Sequence, residues 1–155
     1  MKKILIVGLI LSVLPLNLIK EIKFIDASAF AYDIKSGAIP NDARMRTAVH
    51  YFTINVPSTG LSSLTIEIPE GVKVNGEIKV KNQDYQTINS DFSVHNNKAV
   101  INFPTPVSED NSLMIRLEDV STTGYSNAWM YRIHGTMAEV NQTMPLGSRR
   151  VQTYD

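Results

Sequence analysis

Trp129-Met130-Tyr131-Arg132-Ile133-His134-Gly135 is the stretch that decides the fold. Trp129, Tyr131 and Ile133 alternate with Met130, Arg132 and His134. A period of two puts one set on a buried face and the other on a wet one, which is the pattern of a half-buried β-strand. The chain has one Trp, and it sits on the apolar side. A buried Trp removes roughly 150–250 Å² from water, so this strand is expected to cross the middle of the core. Its expected partner is the segment Leu113–Leu117.

The same alternation recurs on both sides of that stretch. Phe52, Ile54 and Val56 oppose Tyr51, Thr53 and Asn55, and Pro57-Ser58-Thr59-Gly60 follows with turn chemistry. Leu64, Ile66 and Ile68 oppose Thr65 and Glu67 before Pro69-Glu70-Gly71. Val72 to Asn75 suits a short strand or bulge. Ile78 and Val80 alternate with Lys79 and Lys81, whose charge suits a sheet edge. Asn82 to Asn89 reads as a loop. Phe92 and Val94 lead into Asn96-Asn97, and Ala99, Ile101 and Phe103 lead out; Asn tolerates positive φ, so the pair predicts a two-residue type I′ hairpin turn. Pro104-Thr105-Pro106 is expected to close that strand. Leu113, Ile115 and Leu117 oppose Met114, Arg116 and Glu118, and Ser121 to Ala128 reads as a loop.

The ends are less patterned. Tyr32 to Asn41 reads as an irregular leader, with Asn41 or Asp42 capping a helical turn through Met45 or lying in a loop. The tail through Val151 and Thr153 holds one last short strand. No segment after residue 46 has a helical period. Seven or eight short strands with turns at fairly regular spacing predict an all-β fold, an antiparallel β-sandwich of immunoglobulin-like architecture.

The N-terminus carries a different message. Lys2 and Lys3 precede an apolar run from Ile4 to Ile19, and Ala29-Phe30-Ala31 fits a small-x-small cleavage site. Residues 1–31 therefore read as a secretory signal peptide, and residues 32–155 as one sandwich domain. An uncleaved anchor is the alternative; Pro15 and the Ala-x-Ala favour cleavage, after which no membrane span remains. The chain has no Cys, which excludes disulfides, thiolate nucleophiles and Cys-ligated metal. Residues 1–31 hold four Lys and two acidic residues, and the remainder holds 11 basic and 13 acidic residues. A domain so near neutrality has no basic footprint for nucleic acid.

Several quoted segments together resemble a known family. They are His50-Tyr51-Phe52 with Val56-Pro57, Leu64-Thr65-Ile66 with Pro69-Glu70-Gly71, and Ile101-Asn102-Phe103 with Pro106-Val107. The Trp129 strand and the ending Pro145-Leu146-Gly147 with Arg150-Val151-Gln152-Thr153-Tyr154-Asp155 complete the set. The chain resembles a family of small exported cyanobacterial proteins catalogued as a domain of unknown function. The resemblance implies a periplasmic, thylakoid-lumenal or extracellular setting in a cyanobacterium. It implies no activity and no catalytic residue.

Candidate sites are few. His50 leads into a strand, His95 sits at a hairpin and His134 faces outward; converging imidazoles bind zinc or copper, but no two are at ligand spacing in sequence. Met130, Met137 and Met144 recur every seven residues, with Met137 on the parity opposite to Met130. Glu109-Asp110 and Glu118-Asp119 are acidic pairs without a calcium-loop pattern. No nucleophile elbow, zinc-protease helix or phosphate loop occurs. Arg149-Arg150 near the C-terminus offers forks for carboxylate or phosphate, serving either to dock a partner or to tie the tail to the sandwich. Tyr51, Tyr85 and Tyr125 fall in loops or on outward positions, where a phenol gives contact area with a polar handle.

These readings add up to a noncatalytic, cofactor-free envelope or extracellular interaction module, with an unknown envelope protein or glycan as partner. The alternative is a periplasmic metal-handling domain that uses His and Met to hold copper or zinc.

Overall fold

Period-two alternation becomes strand throughout the computed structural model, which describes residues 35–109, 111–125 and 127–155. The reading of residues 1–31 as a signal peptide lies outside the described residues. Among the described residues ten strands follow one another: β1 (Ser36–Ile39), β2 (Ala48–Asn55), β3 (Leu61–Glu67), β4 (Val72–Val74), β5 (Ile78–Lys81), β6 (Asp91–His95), β7 (Lys98–Val107), β8 (Ser112–Thr122), β9 (Asn127–Met137) and β10 (Thr143–Thr153). They form two antiparallel sheets. One has the order β1-β2-β8-β4, with β5 following β4 along the free edge of β8. The other has the order β10-β9-β3-β7-β6. The architecture is the predicted sandwich, with ten strands where seven or eight were expected.

The inner faces carry the residues that the alternation selected. Phe52 and Ile54 of β2, Leu64 and Ile66 of β3, and Leu113, Ile115 and Leu117 of β8 are all buried. Trp129, Tyr131 and Ile133 of β9, in the same sheet as β3, are buried against β2 and β8 of the other sheet. Phe52 and Tyr131, one from each sheet, pack at 5.5 Å between ring centroids. The Trp129 indole N–H donates to the Thr153 hydroxyl at 2.9 Å, so the one polar atom of this buried ring is satisfied.

Pairing departs from expectation at the central strand. β9 pairs with β3 and β10, while β8 lies in the opposite sheet and pairs with β2, β4 and β5. Both strands are apolar on one face, and an apolar face fits either side of the same core; alternation therefore selects the face and not the sheet. The Asn96-Asn97 turn forms as predicted, with φ of 49° and 57° and with His95 opposite Lys98.

β7 also runs further than its prolines suggested. It passes through Pro104 and Pro106 to Val107. β6 stops pairing at Asn102, and the register with β3 skips from Asn102 to Val107. The two prolines thus lie where no ladder bond calls on an N–H group.

The irregular leader is in fact β1, antiparallel to β2 with Gly37 opposite Tyr51. Of the two readings for the residues after it, a helical turn or a loop, the structure shows the loop. Asp42 Oδ1 accepts the Arg44 N–H at 2.8 Å there, and Ile39-Pro40 is a cis peptide bond. The tail is a full eleven-residue strand, β10, with its register shifted between Pro145 and Gly147.

β10 does more than end one sheet. Tyr154 N–H donates to the Asn41 carbonyl at 2.8 Å, and Ala43 N–H donates to the Tyr154 carbonyl at 2.7 Å. Ser36 Oγ donates to the Arg150 carbonyl at 2.7 Å, and Arg149 Nε donates to the Thr53 carbonyl at 2.9 Å. Four hydrogen bonds therefore stitch the edge of the second sheet to the first, along the flank where β1 and β10 meet.

Candidate functional site

Strand parity sorts the tail residues. Arg149, Val151 and Thr153 share one face of β10, and Arg150, Gln152 and Tyr154 continue the other. Val151 and Thr153 are buried. Arg149 is half-buried between the sheets, where it donates to Thr53 and Ser148 carbonyls. Burial pulls its guanidinium below the ordinary arginine value, because a desolvated cation is less stable than a solvated one. Arg149 is thus engaged in tying the tail to β2.

Arg150 points elsewhere. It lines an open groove of ≈ 450 Å³ on the β1–β10 flank, together with Tyr51, Tyr154, Gln152, Asn41 and Ser36. Gly37 and Ala38 of β1 line it as well. A Cβ at Gly37 would stand 2.9 Å from the Tyr51 hydroxyl and 3.1 Å from Cζ, so the phenol end of Tyr51 lies against the glycine. At the far end Tyr154 is held through its backbone by Asn41 and Ala43, while its side chain is more than half exposed. Arg150 donates one guanidinium N–H to Gln152 Oε1 at 2.7 Å, which sets the two side chains in a common orientation.

The groove thus presents two phenol rings, two carboxamides, a hydroxyl and one cation. Rings give stacking faces, carboxamides give paired donors and acceptors, and a guanidinium carries five N–H donors in a planar fork. That is the chemistry of recognition.

The three histidines do not come together. His50 lies within β2 rather than ahead of it, on the inward parity, and is 0% exposed. Its Nδ1 is 2.6 Å from the Tyr131 hydroxyl, and the rings meet edge to face at 6.0 Å. Its Nε2 is buried without a partner. The contact serves a neutral imidazole in either tautomer, with the phenol donating to a bare Nδ1 or Nδ1–H donating to the phenol oxygen. Burial pushes the His50 pKa down from 6.5 to about 4 and pushes the Tyr131 phenol up, since each loses water around its charged form. His95 is exposed at the β6–β7 hairpin. His134 is half-buried on the outer face of β9, between Thr65 and Pro145. Among the described residues no three of His, Asp or Glu form a group able to hold a metal ion. Met130 and Met144 are exposed, whereas Met137 is buried in the core.

Of the outward tyrosines, Tyr51 lines the groove, while Tyr85 and Tyr125 are exposed elsewhere. Sequence reasoning singled out Tyr51 and Arg150 separately and missed Gln152, Tyr154, Asn41 and Ser36. A signal was there for two of them: Arg150, Gln152 and Tyr154 alternate with Val151 and Thr153, as the outer face of a strand does.

No protein-family model matches the chain, and neither does any curated protein. Solved structures do match. The collagen-binding domain of a Staphylococcus aureus adhesin is similar at 15% identity and a TM-score of 0.49, over 77% of this chain and 95% of that one. A non-cellulosomal cohesin from Archaeoglobus fulgidus matches at 12% identity and a TM-score of 0.46, over 80% and 93% of the two chains. The full-length major pilin SpaD of Corynebacterium diphtheriae matches at 11% identity and a TM-score of 0.47, over 76% of this chain and 34% of the pilin. At such identities the likeness is one of fold alone. Among the described residues no helix is long and apolar enough to cross a membrane.

Proposed function

We propose that this chain is an exported, noncatalytic binding module of a cyanobacterial envelope or its surroundings, acting in the periplasm, the thylakoid lumen or outside the cell. The observation that carries the proposal is the groove, where Tyr51, Tyr154, Arg150 and Gln152 converge from different parts of the chain onto one flank. A rigid sandwich holds such residues at fixed spacing, and rigid presentation lowers the entropy lost on binding. The Lys-led apolar run and Ala29-Phe30-Ala31 support export. The partner is an envelope protein or a glycan, with Arg150 in direct contact and Arg149 keeping β10 in place.

Two measurements test this reading. Fractionation of the native host should find the protein outside the cytoplasm, with Tyr32 as its first residue. The immobilised protein should retain one identified envelope component from solubilised envelopes and lose it on Tyr51→Ala. A cytoplasmic protein, or retention unaffected by Tyr51→Ala and Arg150→Gln alike, would overturn the proposal.

A further inference from the structure

We infer that the β1–β10 groove takes an acidic saccharide, a short oligosaccharide bearing uronic-acid carboxylates, and that Arg150 reads the carboxylate; the inference rests on the binding-module reading above.

Size is the first argument. The groove holds ≈ 450 Å³, within the range of about 300–1,000 Å³ typical of small-ligand sites. Tyr154, held through its backbone by Asn41 and Ala43, is part of its wall. A few sugar units suit a short open groove.

The rival occupant is an extended peptide added to the free edge of β1. Thr53 N–H bonds to the Lys35 carbonyl, so in the antiparallel ladder the N–H and C=O of Ser36 and Ala38 point away from β2, towards the groove. A strand inserted there would need about 4.8 Å on each side of it, hence roughly twice that between β1 and β10. A single serine side chain already spans the gap, with Ser36 Oγ 2.7 Å from the Arg150 carbonyl. Spacing therefore rules against strand addition and in favour of a ligand lying on the groove's outer rim.

Chemistry is the second argument. Tyr51 lines the groove with its phenol end against Gly37, and the C–H edge of a pyranose complements the negative face of a phenol. Gln152 and Asn41 can each donate and accept, which matches neighbouring sugar hydroxyls. Arg150 is the one ionic side chain among the eight that line the groove. Its contact with Gln152 uses one N–H and leaves donors for a bidentate carboxylate pair. Two cations of the first sheet are engaged with carboxylates instead: Arg116 lies 3.2 Å from Glu118, and Lys79 lies within 4 Å of both Glu77 and Glu118.

Calorimetric titration of the protein purified from its host tests this with three probes: tetragalacturonate, neutral galactotetraose and a pentaglutamate peptide. Tetragalacturonate should bind about tenfold or more tighter than galactotetraose, the usual worth of a charge-assisted pair. Arg150→Gln should bring the two sugars to within about twofold of each other, and Tyr51→Ala should weaken both about tenfold. The Arg150→Gln melt should match the parent, since that side chain is exposed; Tyr51→Ala should stay cooperatively folded with a lower Tm, since it removes a half-buried ring from β2. Equal binding of the acidic and neutral sugars overturns the carboxylate assignment. Binding of pentaglutamate in preference to tetragalacturonate, lost on Arg150→Gln, overturns the saccharide assignment. Absence of sugar binding alongside Tyr51-dependent retention of an envelope protein overturns this inference and leaves the binding module standing; absence of both overturns both.

Discussion

Acidification should weaken this fold through one residue, His50. Its imidazole is sealed between the sheets with the Tyr131 phenol as its hydrogen-bond partner, and burial holds its pKa at about 4 against an ordinary 6.5. The folded state therefore resists a proton that the unfolded chain accepts. The stabilisation is fully present above pH 6.5, falls as pH drops through the window from 6.5 to 4, and levels off below it. A shift of about 2.5 units corresponds to a full loss of roughly 3 kcal/mol, at about 1.4 kcal/mol per unit. Between pH 7 and pH 5 the loss is about 2 kcal/mol. For a domain of this size that lowers Tm by on the order of 8 °C. Carboxylates also respond to acid, so the test compares the parent with His50→Gln, which keeps a hydrogen-bonding side chain but cannot titrate. Melting curves at half-unit steps from pH 7 to pH 4 are the assay. The stability difference between the two proteins should fall by about 2 kcal/mol from pH 7 to pH 5. Parallel curves across that window would refute the reasoning, as would an imidazole resonance of folded His50 that titrates near 6.5.

Three further changes have outcomes worked from contacts. Gly135→Ala should destabilise by about 1–3 kcal/mol, since a Cβ there would stand 2.6 Å from Leu61 Cδ2 and 2.8 Å from Leu146 Cδ1; denaturant unfolding measures it. Thr153→Val keeps the shape but strands the buried Trp129 N–H, which should cost about 1–3 kcal/mol and alter the tryptophan emission spectrum. Arg149→Met and Arg150→Met should separate two adjacent arginines. The first removes the bond to the Thr53 carbonyl and should lower stability by about 1–2 kcal/mol in a urea titration, while the second should leave stability within about 0.5 kcal/mol of the parent.

The two arginines also show where sequence reading runs out. Their adjacency and charge are plain in the chain, but their roles differ by strand parity, and parity requires knowing that the tail is a strand. That tail carries Pro145 and Gly147 at a register shift, which breaks the alternation where the strand begins. Gly37 hides β1 in the same way, for the partner that covers it, Tyr51, lies fourteen residues away. His50 was legible only in part: it shares parity with Phe52 and Ile54, yet a titratable side chain at a strand's start reads as an exposed one.

The sequence by itself determined that this chain is a two-faced antiparallel β protein. Alternation selects which side chains go inward, and Asn96-Asn97 selects its own turn, because both depend on backbone geometry within a few residues. Tertiary structure alone decided which sheet each strand joins, that β9 pairs with β3 and β10, and that β10 is bonded back to Asn41, Ala43 and Thr53. Those choices depend on how two sheets share one core, and any inward-facing apolar row satisfies that core equally well from either side. The groove follows from the same closure: Tyr51 and Arg150 become neighbours only when the first and last strands meet on one flank.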